Sequence, residues 1–326
     1  MIVPSYWAEA RKQYLQDRKQ ITVRRFGWSD LSQEQAEEMA ESRADEALRR
    51  AISGDKVSRR EPKVAYNGAE GVPIREEVIA RHGVVVITRN AYGAKCLNTP
   101  DVLFADIDFP VSGSLKFKFA FFAMMLGLAA FLGWQCEFRA WGIAVAVLSM
   151  FISSPLVDFI NRIRIKALGG AERLAKKRVL RFLAKNPTWN IRLYRTPAGL
   201  RLLATHQPFQ PGDGMVQEFY RTIDADPIYV RMCLNQQCFR ARLTAKPWRI
   251  GISTHMKPRP GVWPVRPERI GERAGWLAVY DARAAGFASC KFIESIGSGI
   301  THPKVAPVVA LHDEESRARV SGATIA

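Results

Sequence analysis

The sequence predicts an α+β protein whose antiparallel sheet and flanking helices are interrupted by a two-helix transmembrane hairpin. Three patterns lead to this prediction. Short alternating strands are separated by turn residues, a charged segment near the N-terminus has helical spacing, and two uncharged apolar runs lie close together in mid-chain. With 326 residues, 48% of them hydrophobic, the chain is long enough for one large domain or two ordinary ones.

The composition indicates a polyanionic partner and a reducing compartment. The formal net charge of +17 favours nucleic acid, nucleotide or an anionic membrane face as a partner. It is also explained by lysines and arginines that merely flank membrane segments on the cytoplasmic side. The five cysteines are scattered and odd in number, which argues against a disulfide framework. The N-terminus lacks the pattern of a signal peptide, so we expect it to stay in the cytoplasm.

A strand and a charged helix are predicted near the N-terminus. Residues 19–28 have the composition of a short strand, and residues 33–52 are rich in Ala, Glu and Arg with small apolar residues at helical spacing. Ser29 or Ser32 can cap this helix. Gln35 stands three residues after Ser32, as a capping box requires.

The predicted domain boundaries follow from these elements. Residues 1–80 should pack on the main domain, with a loop at 53–73 and a short helix at 74–81. The main α+β domain comprises residues 81–118 and 160–313. Its predicted elements are strands at 84–88 and 102–109, a helix at about 166–185, a hairpin at 190–206 around Pro197-Ala198-Gly199, helices at 212–223 and 276–285, and a helix followed by a strand in 229–243. Residues 314–326, which follow this domain, are predicted to be a flexible tail.

The firmest prediction is a transmembrane helical hairpin at residues 119–157. Residues 119–134 are 16 consecutive uncharged residues, and residues 140–157 are 18 more. Each run is close to the roughly 17–25 residues that cross a bilayer. The link 135–139 is short, and the flank 159–185 carries nine Lys or Arg against one Glu. Basic flanks belong on the cytoplasmic side. We therefore expect a multi-pass protein of the bacterial inner (cytoplasmic) membrane with both termini in the cytoplasm.

Two alternatives to a spanning hairpin remain open. The two runs could form a buried helical pair in a soluble core, although such helices usually have only one apolar face. They could also form a re-entrant hairpin that enters the bilayer from one side. Glycines at 127, 133 and 142 would let the two helices pack closely in either case.

The candidate catalytic residues are Asp106 and Asp108, at the end of the apolar strand 102–109. Side chains alternate along a strand, so both carboxylates face the same side. Such a pair can hold Mg²⁺ or Mn²⁺, which would bind phosphate oxygens. The alternative is structural, with the two carboxylates capping turns or pairing with arginines.

The run Val102-Leu-Phe-Ala-Asp-Ile-Asp-Phe109 resembles the first metal-binding motif of the archaeo-eukaryotic primase-like (primase-polymerase) superfamily. The resemblance implies a palm-like sheet, related to the RNA-recognition and ferredoxin-like folds, and nucleotidyl transfer with bound divalent metal. The string Leu103-Phe-Ala-Asp-Ile107 is also similar to the first metal motif of class III nucleotide cyclases, whose second Asp has no counterpart here.

The resemblance also assigns residues downstream. Hairpin 190–206 stands where the second motif would be, and Arg201 or His206 would replace its histidine. Asp226 would match the third motif and join Asp106 and Asp108 in catalysis. Basic residues would bind the phosphates of a nucleotide or nucleic acid, namely Arg195, Arg201, Arg240, Arg242, Lys246 and Arg249.

Two functions follow as hypotheses. The first is a membrane-anchored protein with a metal-dependent, primase-polymerase-like nucleotidyl-transfer domain in the cytoplasm. The second is a non-enzymatic integral membrane protein whose basic cytoplasmic domain binds a partner protein, anionic lipid or nucleic acid.

Overall fold

The chain forms a mixed α+β structure with antiparallel sheets, as the sequence predicts. The computed structural model describes residues 3–16, 19–61, 72–110, 112–135, 139–259, 261 and 263–326. It divides into two compact units. The first, the sheet unit, comprises Met1–Ile107 and Phe182–Ala326, and the second, the hairpin unit, comprises Asp108–Arg181.

The N-terminal residues form a two-stranded ribbon with one helix packed on it. Strands β1 (Tyr6–Gln16) and β2 (Lys19–Ser29) pair antiparallel, and helix α1 spans Gln33–Ile52. The Ser32 side chain accepts a hydrogen bond from the backbone N–H of Gln35, which confirms the predicted cap. The sequence did not indicate β1, because its apolar residues do not alternate regularly with polar ones.

One glycine sets how closely helix and ribbon approach. A Cβ on Gly27 would lie 2.1 Å from the carbonyl oxygen of Ala36 and 2.3 Å from the backbone nitrogen of Ala40. Helix α1 therefore rests directly on the backbone of β2, through its buried alanines.

The first four-stranded sheet has the order β3-β4-β5-β9 and is antiparallel throughout. The short helix predicted at 74–81 is wrong, because residues 77–82 form a strand that pairs with β4 through a turn at Gly83. The predicted strand at 84–88 is confirmed. The strands are β3 (Glu77–His82), β4 (Val85–Arg89), β5 (Lys95–Thr99) and β9 (Phe239–Arg242).

The second four-stranded sheet joins strands from before and after the apolar segment. Its order is β11-β7-β8-β6, and β7 pairs antiparallel with both β8 and β11. The predicted strand at 102–109 and hairpin at 190–206 are both confirmed. The strands are β6 (Phe104–Asp108), β7 (Asn190–Arg195), β8 (Gly199–Ala204) and β11 (Lys291–Gly297).

The described residues of the sheet unit include four further α-helices. The helices predicted at 212–223 and 276–285 are confirmed, and the second begins earlier than predicted. The helix predicted before β9 is also confirmed. The four helices are α5 (Gly214–Ile223), α6 (Pro227–Gln236), α7 (Ile270–Ala284) and α8 (Ala306–Glu315).

The C-terminal residues 314–326 are packed, which corrects the prediction of a flexible tail. Strand β12 (Thr324–Ile325) pairs in parallel with β10 (Phe287–Ala288). The backbone N–H of Ala326 donates to the carbonyl of Ala288 at 2.9 Å, and Ala318 is buried. Small residues without periodicity gave no sequence signal for this packing.

The hairpin unit contains two helices that are long and apolar enough to cross a membrane, judged by length and composition. They are α2 (Leu115–Gln135) and α3 (Arg139–Ala167). Only 6% and 17% of the residues in their most apolar windows are buried. The helices of a soluble core are mostly buried, so this exposure counts against that alternative. Helix α4 (Ala171–Lys185) follows. It confirms the later part of the helix predicted at residues 166–185.

Helices α2 and α3 pack closely where glycines face each other. A Cβ on Gly142 would lie 2.8 Å from the carbonyl oxygen of Ala129 and 3.0 Å from the Cα of Gly133. At the other end, the Lys118 ammonium donates to Asp158 at 2.9 Å and to Ser154 at 2.9 Å. The hairpin is thus held by small residues at its tip and by an ion pair at its base.

We expect Gly142→Leu to destabilise the hairpin, because its side chain has no room against α2. Overpacking of this kind costs about 1–3 kcal/mol. Gly127→Leu is the matched control, since a Cβ added at Gly127 would have no neighbouring atom within 4 Å. Circular dichroism of the protein in detergent micelles during heating should show a lower transition temperature for Gly142→Leu alone. Equal effects of the two substitutions would contradict this packing.

Candidate functional site

The Asp106 carboxylate is neutralised by a buried arginine on the neighbouring strand. Arg201 lies on β8 and donates from Nε to one carboxylate oxygen of Asp106 at 3.0 Å and from Nη2 to the other at 3.4 Å. The Arg201 side chain is only 3% exposed. Burial by itself lowers the pKa of Arg201, but the carboxylate of Asp106 raises it above its usual range. The arginine is therefore charged and holds the aspartate in a fixed position.

The same pair ties several segments of the sheet unit together. Arg201 also donates to the carbonyl of Arg242 at 2.8 Å. The backbone N–H of Asp226 donates to the carbonyl of Asp106 at 3.0 Å. The arginine thus links β6, β8 and the end of β9.

The other two predicted catalytic residues are Asp226 and Asp108. Asp226 caps a helix, and Asp108 is more exposed than Asp106. The Asp226 side chain caps α6 by accepting a hydrogen bond from the N–H of Ile228 at 3.0 Å. Asp108 ends β6 and is exposed. Both carboxylate oxygens of Asp106 already face guanidinium nitrogens. As arranged here, Asp106 does not offer a ligand set for Mg²⁺ or Mn²⁺.

No metal-binding cluster is found in the part of the chain that the structure describes. Within those residues, no group of three or more His, Cys, Asp or Glu side chains could hold a metal ion. The predicted binding of Mg²⁺ or Mn²⁺ remains a prediction.

The basic residues predicted to bind phosphate fall into two groups. Arg201 and Arg240 are buried, and Arg240 donates to the buried carboxylate of Glu76 at 2.5 Å. Burial lowers the pKa of Arg240, but its surroundings, which include Cys96 and Glu76, raise it above its usual range. The second group is only partly buried and comprises Arg195, Arg242, Lys246 and Arg249.

The partly buried residues lie on different elements of the sheet unit. Lys246 lies over the ring of Trp248, with its Nζ 5.3 Å from the ring centroid, and Trp248 is 58% exposed. Arg242 donates to the carbonyl of Thr244 at 2.9 Å. Arg195 lies on β7, opposite Leu200 of β8 and Lys291 of β11. The structure therefore brings Arg201 and Arg242 together.

His206, the alternative to Arg201 in the second motif, is packed among aromatic rings. Its ring centroid lies 4.7 Å from that of Trp189 and 5.2 Å from that of Phe209. Its Nδ1 accepts a hydrogen bond from the N–H of Asn190 at 3.3 Å. Burial lowers the pKa of His206 to about 4, so the ring is neutral near pH 7 and offers no charge to a phosphate.

Sequence reasoning missed a buried polar cluster in the sheet unit. Cys290 Sγ lies 3.8 Å from His312 Nε2, and His312 Nδ1 lies 3.3 Å from Asp313 Oδ1. The order thiol, imidazole, carboxylate is that of an activated nucleophile. Cys290 and His312 are both fully buried, so the thiol does not reach a substrate from solvent. The adjacency of His312 and Asp313 is the signal that the sequence offers.

Asp313 is the centre of this cluster. Its carboxylate accepts hydrogen bonds from Arg192 at 2.6 Å, from the Tyr194 hydroxyl at 2.7 Å and from Arg319 at 3.0 Å. Burial raises the pKa of Asp313, but the hydrogen bonds from His312, Tyr194 and Arg319 and the charge of Arg192 outweigh it and lower the pKa to about 2. The cluster joins β7 to α8 and to the C-terminal residues.

Comparison of the chain with protein-family models, with curated proteins and with solved structures finds no match. Functional inference therefore rests on the geometry of the chain itself.

We expect Asp106→Asn to destabilise the sheet unit, because it leaves the buried Arg201 without an opposite charge. Breaking a buried ion pair in this way costs about 3 kcal/mol. Urea unfolding in detergent, followed by tryptophan fluorescence, measures the loss. The exposed Glu218 provides the control Glu218→Gln, which should change stability by less than about 0.5 kcal/mol. An Asp106→Asn protein as stable as the control would show that the pair carries no structural role.

Asp313 should make stability fall with acid. A carboxylate whose pKa is depressed in the folded state stabilises the protein above its unfolded pKa, near 3.9, and this contribution is lost as pH falls towards 2. Wild type should lose about 2 kcal/mol more than Asp313→Asn between pH 5 and pH 2. Urea unfolding at a series of pH values tests this. Parallel pH profiles for the two proteins would rule the assignment out.

Proposed function

We propose that this chain is an integral membrane protein of the bacterial cytoplasmic membrane, anchored by α2 and α3. Its sheet unit would lie in the cytoplasm with both termini and would act by binding a partner rather than by catalysis. The single observation that carries the proposal is the exposure of α2 and α3. Large apolar side chains are exposed along both helices, among them Phe119, Met124 and Phe131 on α2, and Phe151 on α3.

The lengths of the helices support a hairpin that spans the bilayer over a re-entrant one. Helix α2 has 21 residues and α3 has 29. At 1.5 Å per residue each is about 30 Å long or longer, which matches the roughly 30 Å hydrocarbon core. The runs predicted from the sequence were shorter because they excluded Lys118 before the first run and Asp158 after the second.

The sheet topology supports the same-side placement of the two flanks. Strand β6 precedes the hairpin and pairs in one sheet with β8, which follows it. A folded sheet cannot be divided by a bilayer. We infer that the chain before the hairpin and the chain after it lie on one side of any membrane that the hairpin crosses, and the basic flank favours the cytoplasmic side.

The geometry at Asp106 favours binding over catalysis. A catalytic carboxylate needs an open side that faces a metal or substrate, and Asp106 is instead held by Arg201. Two of the six predicted phosphate-binding residues are buried. The sheet unit would then bind its partner through its exposed surface.

We expect the protein to resist extraction from membranes by alkaline carbonate. Leu126→Arg together with Leu148→Arg should abolish this resistance, since an arginine at the centre of a span costs about 3 kcal/mol. Both leucines are exposed. The matched control places the same substitutions at two exposed leucines near the N-terminus, Leu15 and Leu31, and should leave the protein in the membrane. Release of the wild-type protein by alkali would contradict the proposal.

A primase-polymerase-like nucleotidyl transferase is the second candidate. One observation favours it: β8 lies beside β6, as in the split βαβ unit of a palm-like sheet. The fourth strand, β11, pairs with β7, whereas a ferredoxin-like sheet places its last strand beside the first. Catalysis would also require Arg201 to release Asp106.

Titration of the full-length protein with Mn²⁺ and a nucleoside triphosphate separates the two functions. The binding proposal predicts no metal-dependent nucleotide binding. Metal-dependent binding that is lost in Asp108→Asn and kept in Glu218→Gln would favour the transferase. Asp108 is suited to this test because it is exposed and its substitution leaves the Asp106–Arg201 pair in place.

A further inference from the structure

Helix α3 is longer than a bilayer core requires, and its excess is basic. From Arg139, about 20 residues at 1.5 Å each reach across roughly 30 Å of hydrocarbon, which ends near Asp158. The remaining turns extend beyond this depth. They carry three exposed cations, Arg162, Arg164 and Lys166, among exposed apolar side chains such as Phe159 and Ile163. This mixture is typical of the headgroup region of a membrane.

A glycine pair then ends α3 and begins α4. Gly169 and Gly170 have φ values of +90° and +93°, which other residues rarely adopt. The helix cannot continue through this conformation, so the chain turns within two residues of the end of α3. Helix α4 therefore starts close to the level at which α3 ends.

Helix α4 has one buried face and one basic face. Ala175 and Val179 are fully buried. Arg173, Lys177 and Arg181 are spaced four residues apart, lie on the opposite face and are exposed. None of these three side chains forms an ion pair with an acid in the described part of the chain. Their charges are thus available to an external partner.

We propose that these six cations, which we call the basic surface, bind the anionic headgroups of phospholipids in the cytoplasmic leaflet. The basic surface comprises Arg162, Arg164, Lys166, Arg173, Lys177 and Arg181. The inference rests on the proposed function, because it takes α3 to be inserted. A polybasic segment directly beside a membrane span gains attraction to each nearby anionic lipid. Continuity with the span favours lipid over nucleic acid as the occupant.

The inference is tested on the purified full-length protein in neutral detergent. Phosphatidylglycerol or phosphatidylcholine is titrated in at low salt, and the rise of the melting temperature gives an apparent affinity for each lipid. The variant replaces Arg173, Lys177 and Arg181 by Gln. The matched control replaces three exposed cations of the sheet unit by Gln, namely Arg221, Arg231 and Lys291.

We expect wild type and control to be stabilised by phosphatidylglycerol at lower concentrations than by phosphatidylcholine. The variant should need at least about tenfold more phosphatidylglycerol, because each cation near the surface contributes to the attraction. High salt should weaken the effect in wild type, since the charges are exposed. No preference in wild type, or an equal preference in the variant, would overturn the inference.

Two further arms separate this inference from its alternatives. Alkaline extraction of the variant tests whether it is still inserted in the membrane. If wild type and variant both resist alkali, the loss of lipid preference is caused by the substitutions in the basic surface and not by loss of insertion. Release of wild type would defeat the proposed function first. Binding of a single-stranded oligonucleotide is measured in parallel. If the variant loses oligonucleotide binding and keeps its lipid preference, the basic surface binds nucleic acid and the inference is wrong.

Discussion

The pairing of β6 with β8 constrains the rest of the molecule. These strands flank the apolar hairpin in sequence, and the sheet brings them together, with the N–H of Ala204 donating to the carbonyl of Leu103 at 3.0 Å. Closing so long a loop costs conformational entropy. The Asp106–Arg201 pair joins the same two strands and offsets part of this cost. This contact between β6 and β8 accounts for the carboxylate of Asp106 without a catalytic role.

Three buried arginines of the sheet unit are each paired with a carboxylate. Arg201 pairs with Asp106, Arg240 with Glu76, and the buried Arg89 with Asp281 at 2.9 Å. Each of these buried cations thus has its own carboxylate, as burial of charge requires. These pairs contribute nothing to the net charge of +17. The excess positive charge is carried by side chains outside these pairs, which makes exposed basic surfaces the parts of the molecule that can meet a polyanion.

Local patterns predicted the local structure well, whereas contacts distant in sequence were hidden. The Ser32 cap and the turn at Pro197-Ala198-Gly199 act within a few residues. Strand β3 was predicted as a helix because its short apolar run fits both the helical and the strand period. Only its pairing with β4 distinguishes the two. Arg201 stands 95 residues from Asp106, and no local pattern announces their pairing. A motif of two aspartates does not show whether the carboxylates bind a metal or pair with an arginine on the neighbouring strand.

We propose that one folded unit lies on one side of a membrane that its inserted hairpin crosses twice. Cys136 lies in the link by sequence, and Cys96, Cys233, Cys238 and Cys290 are buried. Labelling with a membrane-impermeant maleimide in sealed vesicles of known orientation therefore reports the link in wild type. In Cys136→Ser protein, Lys56→Cys and Lys304→Cys report the chain before and after the hairpin, where both lysines are exposed. We expect residues 56 and 304 to be labelled from the cytoplasmic side and Cys136 only from the other. Labelling of residues 56 and 304 from opposite sides, or of Cys136 from the cytoplasm, would contradict this topology.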